Sequence, residues 1–149
     1  MIAKLTPSRV IAAIFLVAMG YFDGAAARAD PLDDFAAAVG LRHTREFRRT
    51  VTMLHHHDGL PGDLYVTKRE ARGLGWHPGE DICPWLGGRM IGGDLFDNRE
   101  RALPDAKRYR EADLDEEDCG RRGAKRLIFD ESGDVWITID HYRSFQQVP

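Results

Sequence analysis

The sequence predicts an α+β fold, with helices in its first half packed on an antiparallel β-sheet drawn from its second. Three observations carry that reading. Phe47, Val51 and Leu54 fall at i, i+4 and i+7, an apolar stripe at helical spacing. Residues 90–96, 109–114, 126–130 and 135–140 are short runs with aromatic or β-branched content. Ser132-Gly133, between the last two runs, is a hairpin signal. Helices followed by strands, rather than alternating with them, point to α+β.

The composition bounds what such a domain can be. With 149 residues, 43% of them hydrophobic and 30% charged, the chain can bury a core, which excludes disorder throughout. A single apolar run of note excludes a multi-span membrane protein. A formal charge of −3 argues against a grip on nucleic acid by bulk positive charge. Two cysteines cannot build a disulfide-dense scaffold or, alone, a four-ligand zinc site.

Residues 1–29 read as a signal peptide. Lys4 and Arg9 precede an uncharged run over 10–22, too short for an ordinary membrane span. Cleavage is expected after Ala25-Ala26-Ala27 or Ala27-Arg28-Ala29; the alternative is an uncleaved anchor. Cleavage after Ala29 removes Lys4, Arg9, Asp23 and Arg28 and leaves 18 basic and 23 acidic residues, a charge of −5. The exported chain is therefore acidic, and an anion site must be assembled from local charges.

Residues 30–42, Ala-rich with Asp33 and Asp34, read as a spacer or a short frayed helix, and the domain as residues 43–149. The apolar stripe predicts a helix over 43–57, stopped by Gly59 and Pro61. A second helix opens at Thr67, where Thr67 and Glu70 have capping-box spacing, and Gly75 suits its C-terminal end. Residues 76–93 are rich in Gly and Pro and read mainly as loop. The strand runs follow, with a last short strand expected over 145–148. No internal repeat, P-loop or dinucleotide fingerprint is visible.

Several residues have chemical potential on their own account. Glu111 and His141 fall in different predicted strands and suit a general base and a general acid. Lys68, Arg122 and Arg126 can donate to phosphate, the arginines bidentately. His55-His56-His57 invites a metal reading, but consecutive helical residues point about 100° apart. Histidines answering a helix C-terminal dipole are the simpler account.

The ordered motifs then carry a resemblance. Gly59-Leu60-Pro61, Tyr65-Val66-Thr67-Lys68, Leu74-Gly75-Trp76, the stretch from Ile91 to Glu100 with Leu103-Pro104 behind it, Arg110-Glu111-Ala112-Asp113, Arg122 to Arg126, and Asp140-His141-Tyr142 with Phe145 occur in one order. From about Arg45 onward the chain resembles the barnase branch of the small microbial guanyl-preferring ribonucleases. The resemblance implies that fold and a secreted or periplasmic, monomeric endoribonuclease. It would cleave single-stranded RNA 3′ of guanosine through a 2′,3′-cyclic phosphate, without metal or other cofactor and without DNA specificity. Glu111 takes the general base's place, His141 the general acid's, and Lys68, Arg122 and Arg126 that of a cationic cradle. Asp97, Asn98, Arg99 and Glu100 match the guanine loop, with the Glu100 carboxylate as acceptor and Asn98 shaping the turn. Tyr142 is expected beside the nucleotide. A barstar-like protein inhibitor is a further implied partner, and a non-catalytic RNA- or inhibitor-binding module is the alternative function.

One feature departs from the family's pattern and another stands outside the resemblance. Asp113, Asp115, Glu116, Glu117 and Asp118 form an acidic cluster that could repel RNA or pair with the neighbouring arginines. Cys83 and Cys119 are expected to form a disulfide, since export brings both thiols into an oxidising compartment.

Overall fold

The fold follows from how two sets of side chains leave the sheet. In the computed structural model, which describes residues 30–105, 107–115 and 120–149, six strands lie in sequence order: β1 (Tyr65–Val66), β2 (Met90–Phe96), β3 (Tyr109–Asp113), β4 (Arg126–Asp130), β5 (Val135–Thr138) and β6 (Gln146–Gln147). Pairing is antiparallel from β2 onward, and β1 joins β2 in parallel. The α+β reading holds. The two-residue parallel β1 is not legible in the sequence, because so short an element exists only through its partner.

Alternation along the strands divides the chemistry by face. Ala112, Leu127, Phe129, Val135 and Ile137 join the helices' Ala36, Phe47, Val51 and Leu54 in one buried cluster. Tyr109, Ile128 and Trp136 lie together in a second cluster with Leu103, and Phe96, Tyr142 and Phe145 pack against it. Glu111 sits opposite Ile128, which sits opposite Trp136, so Glu111 shares the face of this aromatic cluster, away from the helices.

Of the two readings of residues 30–42, a spacer or a short helix, the structure has the helix, α1 (Pro31–Ala38). Leu32, Phe35, Ala36 and Val39 lie at i, i+3, i+4 and i+7, and all four join the main core. Asp30 caps the helix by accepting from the Leu32 amide at 2.9 Å. Phe35 stacks on Phe47 of α2 (Thr44–His55), with ring centroids 6.1 Å apart. Helix α1 thus packs into the same core as α2 and the sheet. A cap, a first-turn proline and a narrow apolar stripe are stronger helix signals than the alanine content suggests.

Helix α3 (Lys68–Gly73) begins as expected, with both halves of the Thr67–Glu70 capping box formed. Helix α4 (Cys83–Leu86) falls within the stretch read mainly as loop. Leu86 joins Val66, Ala71, Trp76, Ile82 and Ile91 in a small third core. Between β2 and β3 the register shifts at Gly93, whose φ of 94° is left-handed. Beside it, a Cβ on Gly92 would come within 2.7 Å of the Tyr65 ring, so only glycine admits the Tyr65 side chain against β2. The proposed signal peptide and Cys119 lie outside the described residues, as do Glu116, Glu117 and Asp118. Among the described residues no helix is long and apolar enough to cross a membrane.

Candidate active site

Glu111 is the centre of the site. It lies mid-strand in β3, opposite Asp94 of β2, and is 7% exposed. The Asp94 carboxylate accepts from the Lys68 backbone N–H at 2.8 Å, which pins the start of α3 over the sheet. That docking brings Lys68 Nζ to 2.6 Å from Glu111 Oε1. The hydroxyl of Tyr142 donates to the other oxygen, Oε2, at 2.6 Å. Arg122 Nη2 stands 3.9 Å from Oε1.

These contacts set the protonation state of the carboxyl. Burial pushes its pKa up, but the Lys68 and Tyr142 hydrogen bonds, with the charges of Lys68 and Arg122, outweigh burial and hold it below the usual value. Glu111 is therefore a buried carboxylate kept ionised. Tyr142 responds in the opposite sense: burial first, then the adjacent carboxylate, push its phenol up to about 12, so it stays a donor.

The arginines are organised by a residue that reasoning from sequence left undecided. Asp113, two residues from Glu111 on the same face and 0% exposed, accepts from Arg122 Nε at 2.7 Å and from Nη2 at 2.6 Å. Arg126 lies directly across from Asp113 on β4, its Nε 2.9 Å from Oδ1. Asp113 therefore pairs with the arginines, and its fork–fork contact fixes the Arg122 guanidinium plane. For Arg122, burial lowers the pKa and Asp113 raises it; Asp113 prevails. The signal for Asp113 was its two-residue spacing from Glu111, which puts both carboxylates on one face.

His141 is exposed and follows β5. Its ring centroid is 5.1 Å from that of Tyr142, so it adjoins the group that touches Glu111. No hydrogen bond between the described residues joins His141 directly to Glu111. His141 and Tyr142 are both left-handed, with φ of 60° and 69°. Tyr142 also stacks on Phe96, with centroids 5.5 Å apart.

Asp97–Glu100 form a turn just beyond β2. The Asn98 amide donates to Leu103 O at 2.8 Å and its carbonyl accepts from the Leu103 N–H at 3.2 Å, so Asn98 closes the turn from within. Asp97 accepts from Arg99 Nε at 2.6 Å on the exposed side. Glu100 is exposed, and a groove of about 490 Å³ adjoins the turn between Asp97 and Lys107. A cavity of about 570 Å³ lies elsewhere, lined by Leu54, Leu60, Tyr65, Phe129 and Arg110, and touches neither Glu111 nor His141. Glu111 lies instead on the sheet face away from the helices. Among the described residues no three His, Cys, Asp or Glu side chains converge as a metal site.

This arrangement defines a class: an ionised carboxylate held by Lys68 and Arg122, with a histidine beside its tyrosine partner, on the sheet face away from the helices, is equipped for acid–base chemistry. Residues 60–149 match the ribonuclease family profile, and the chain belongs to that family. It is 38% identical over 89 residues to a ribonuclease of Heyndrickxia coagulans, an alignment covering 58% of this chain and 81% of that one. A Bacillus intermedius ribonuclease matches equally over 89 residues, covering 54% of its length. The guanyl-specific ribonuclease St of Saccharopolyspora erythraea is 38% identical over 56 residues, covering 36% of this chain and 55% of its own.

Proposed function

We propose that the chain is an exported endoribonuclease that cleaves single-stranded RNA 3′ of guanosine by transesterification. The observation that carries this reading is the convergence of Lys68, Tyr142 and Arg122 on the buried Glu111. In the first step Glu111 takes the proton of the ribose 2′-hydroxyl. The 2′-oxygen attacks phosphorus, the bond to the 5′-oxygen breaks, and His141 protonates the leaving oxygen. Lys68, Arg122 and Arg126 stabilise the charge growing on the phosphoryl oxygens. Water then opens the 2′,3′-cyclic phosphate with the two roles reversed. Three side-chain cations supply the charge stabilisation that a metal ion supplies elsewhere, so no metal enters the scheme.

Guanine binds at the Asp97–Glu100 turn. A carboxylate at Glu100 suits the adjacent N–H donors on guanine's Watson–Crick edge, which a single strand leaves open. The guanyl-specific name of the Saccharopolyspora relative supports that preference. Export rests on the character of residues 1–29. A Cys83–Cys119 bridge goes with it, supported by the Ile82 N–H donating to Gly120 O at 3.2 Å, which joins the backbones next to both cysteines. The enzyme acts as a monomer, and a barstar-like inhibitor would cover the site by offering carboxylates to the same cations.

The test is cleavage of GpN and ApN dinucleotides in excess chelator, with the products followed over time. Guanosine 2′,3′-cyclic phosphate should accumulate before the 3′-phosphate, and ApN should react far more slowly. Absence of cleavage in either substrate would leave a binding module; equal rates would remove the guanine assignment.

A further inference from the structure

We propose that Asp140 is a positioning residue, the clamp that holds His141 and Tyr142 in their working arrangement. Two consecutive non-glycine residues with positive φ are rare, because the Cβ crowds the backbone in that region. Such a pair persists only where its surroundings over-determine it. Here the surroundings centre on one side chain. Asp140 Oδ1 accepts from the backbone N–H of Arg143 and of Ser144, both at 3.0 Å, and from Thr138 Oγ1 at 2.9 Å. Oδ2 accepts from the Ser144 hydroxyl at 2.6 Å. The donors come from both sides of the His141-Tyr142 pair, so the carboxylate closes a ring across it. Thr138 Oγ1 also accepts from the Tyr142 N–H at 3.0 Å, which ties the same ring to the end of β5. The His141 N–H reaches Ala124 O at 3.3 Å, a further backbone anchor of the pair.

The consequence reaches both halves of the acid–base pair. His141 is carried by the strained turn itself. Tyr142, carried by the same turn, donates to Glu111 Oε2. Releasing Asp140 therefore lets the acid drift and removes a hydrogen bond from the base together, without deleting either. Asp140 itself touches no reacting atom. Its carboxyl is held down at about 2, first by the Ser144 hydroxyl and then by the backbone donors, so the clamp stays ionised through the working range.

This inference rests on the reading of His141 as general acid, and its test separates the two. Asp140→Ala should lower kcat on GpN about 10- to 100-fold, the scale of an ångström-sized misplacement, with KM within about threefold. Asp140→Asn keeps an acceptor at Oδ1 and should restore kcat to within about fivefold of the parent. NMR order parameters at the His141 and Tyr142 amides should drop from about 0.85 to below about 0.6 in the alanine variant and recover in the asparagine variant. Parental kcat with rigid amides in Asp140→Ala overturns the clamp while leaving the ribonuclease reading intact. If the parent cleaves no dinucleotide, that reading fails instead, and the order parameters decide the clamp alone. Should Asp140→Ala not fold, Thr138→Val and Ser144→Ala each remove one donor; unchanged kcat in both overturns the proposal.

Discussion

At the scale of the residue, Glu111 shows how position keeps a buried carboxyl ionised. Burial alone would favour its neutral form, and Lys68, Tyr142 and Arg122 reverse that preference. Glu111→Gln or His141→Gln should each reduce transesterification by about 10²–10⁴-fold while the fold persists, measured by single-turnover assay and circular dichroism. Near-parental rates in either variant would remove that residue from the mechanism. The pH profile of kcat/KM should be bell-shaped, since one group must be ionised and the other protonated. Its acid limb should lie below the ordinary glutamate value of about 4.3. Lys68→Ala removes the largest opposing contact but leaves the burial, so the Glu111 pKa must rise and the acid limb move to higher pH. An unmoved limb in that variant would show that Lys68 does not set the ionisation of the base.

At the scale of the element, α3 is a six-residue helix whose start does two jobs. Thr67 Oγ1 accepts from the Glu70 N–H at 3.2 Å, and Glu70 accepts from the Thr67 N–H at 2.8 Å. The next residue, Lys68, binds Asp94 through its backbone and Glu111 through its side chain. So short a helix has little stability of its own, and the box and the Asp94 contact supply what propensity cannot. Thr67→Ala should cost about 1 kcal/mol in urea unfolding and also lower kcat, because the loosened turn carries Lys68. Loss of stability with unchanged kcat would separate the cap from the chemistry. Asp115 does comparable work between loops: it accepts from the Arg42 and His43 amides, both at 2.9 Å, and from Lys125 at 2.6 Å, so the entry to α2 is tied to the chain around β3 and β4.

At the scale of the whole molecule, several buried or half-buried carboxylates are held below their usual pKa by cationic partners. Asp115 owes this to Lys125, Asp130 to Lys107, and Glu111 to Lys68, each against an opposing push from burial. Folded-state values below unfolded ones mean that the stabilisation is complete above the unfolded values of about 3.9–4.3 and is lost as pH falls through the folded values. The urea midpoint should therefore hold from neutral pH to about pH 5 and fall steadily below pH 4; a midpoint level down to pH 2 contradicts the linkage. The proposed Cys83–Cys119 bridge closes 36 residue steps. Chain entropy alone gives such a loop about 3–4 kcal/mol, a large share of a small domain's roughly 5–15 kcal/mol. Intact mass with and without reductant, on protein purified after export, should differ by two hydrogens; two freely alkylated thiols would end the proposal.

The sequence by itself determined what depends on near neighbours and on periodicity. The α2 stripe, the Thr67–Glu70 box, the hairpin between β4 and β5 and the ordered motifs of the ribonuclease family are all readable within a few residues of one another. So was the fact that Asp113 shares a face with Glu111. Tertiary structure alone decided which partners meet. It docked α1 on Phe47, made a strand of Tyr65-Val66 by pairing it with β2, and set Asp113 between Arg122 and Arg126. It also turned His141 and Tyr142 left-handed and brought the Tyr142 hydroxyl to Glu111. The reason is physical: period two assigns a side chain to a face, but the partner across that face is chosen by the strand order and by backbone turns that only the folded chain holds in place.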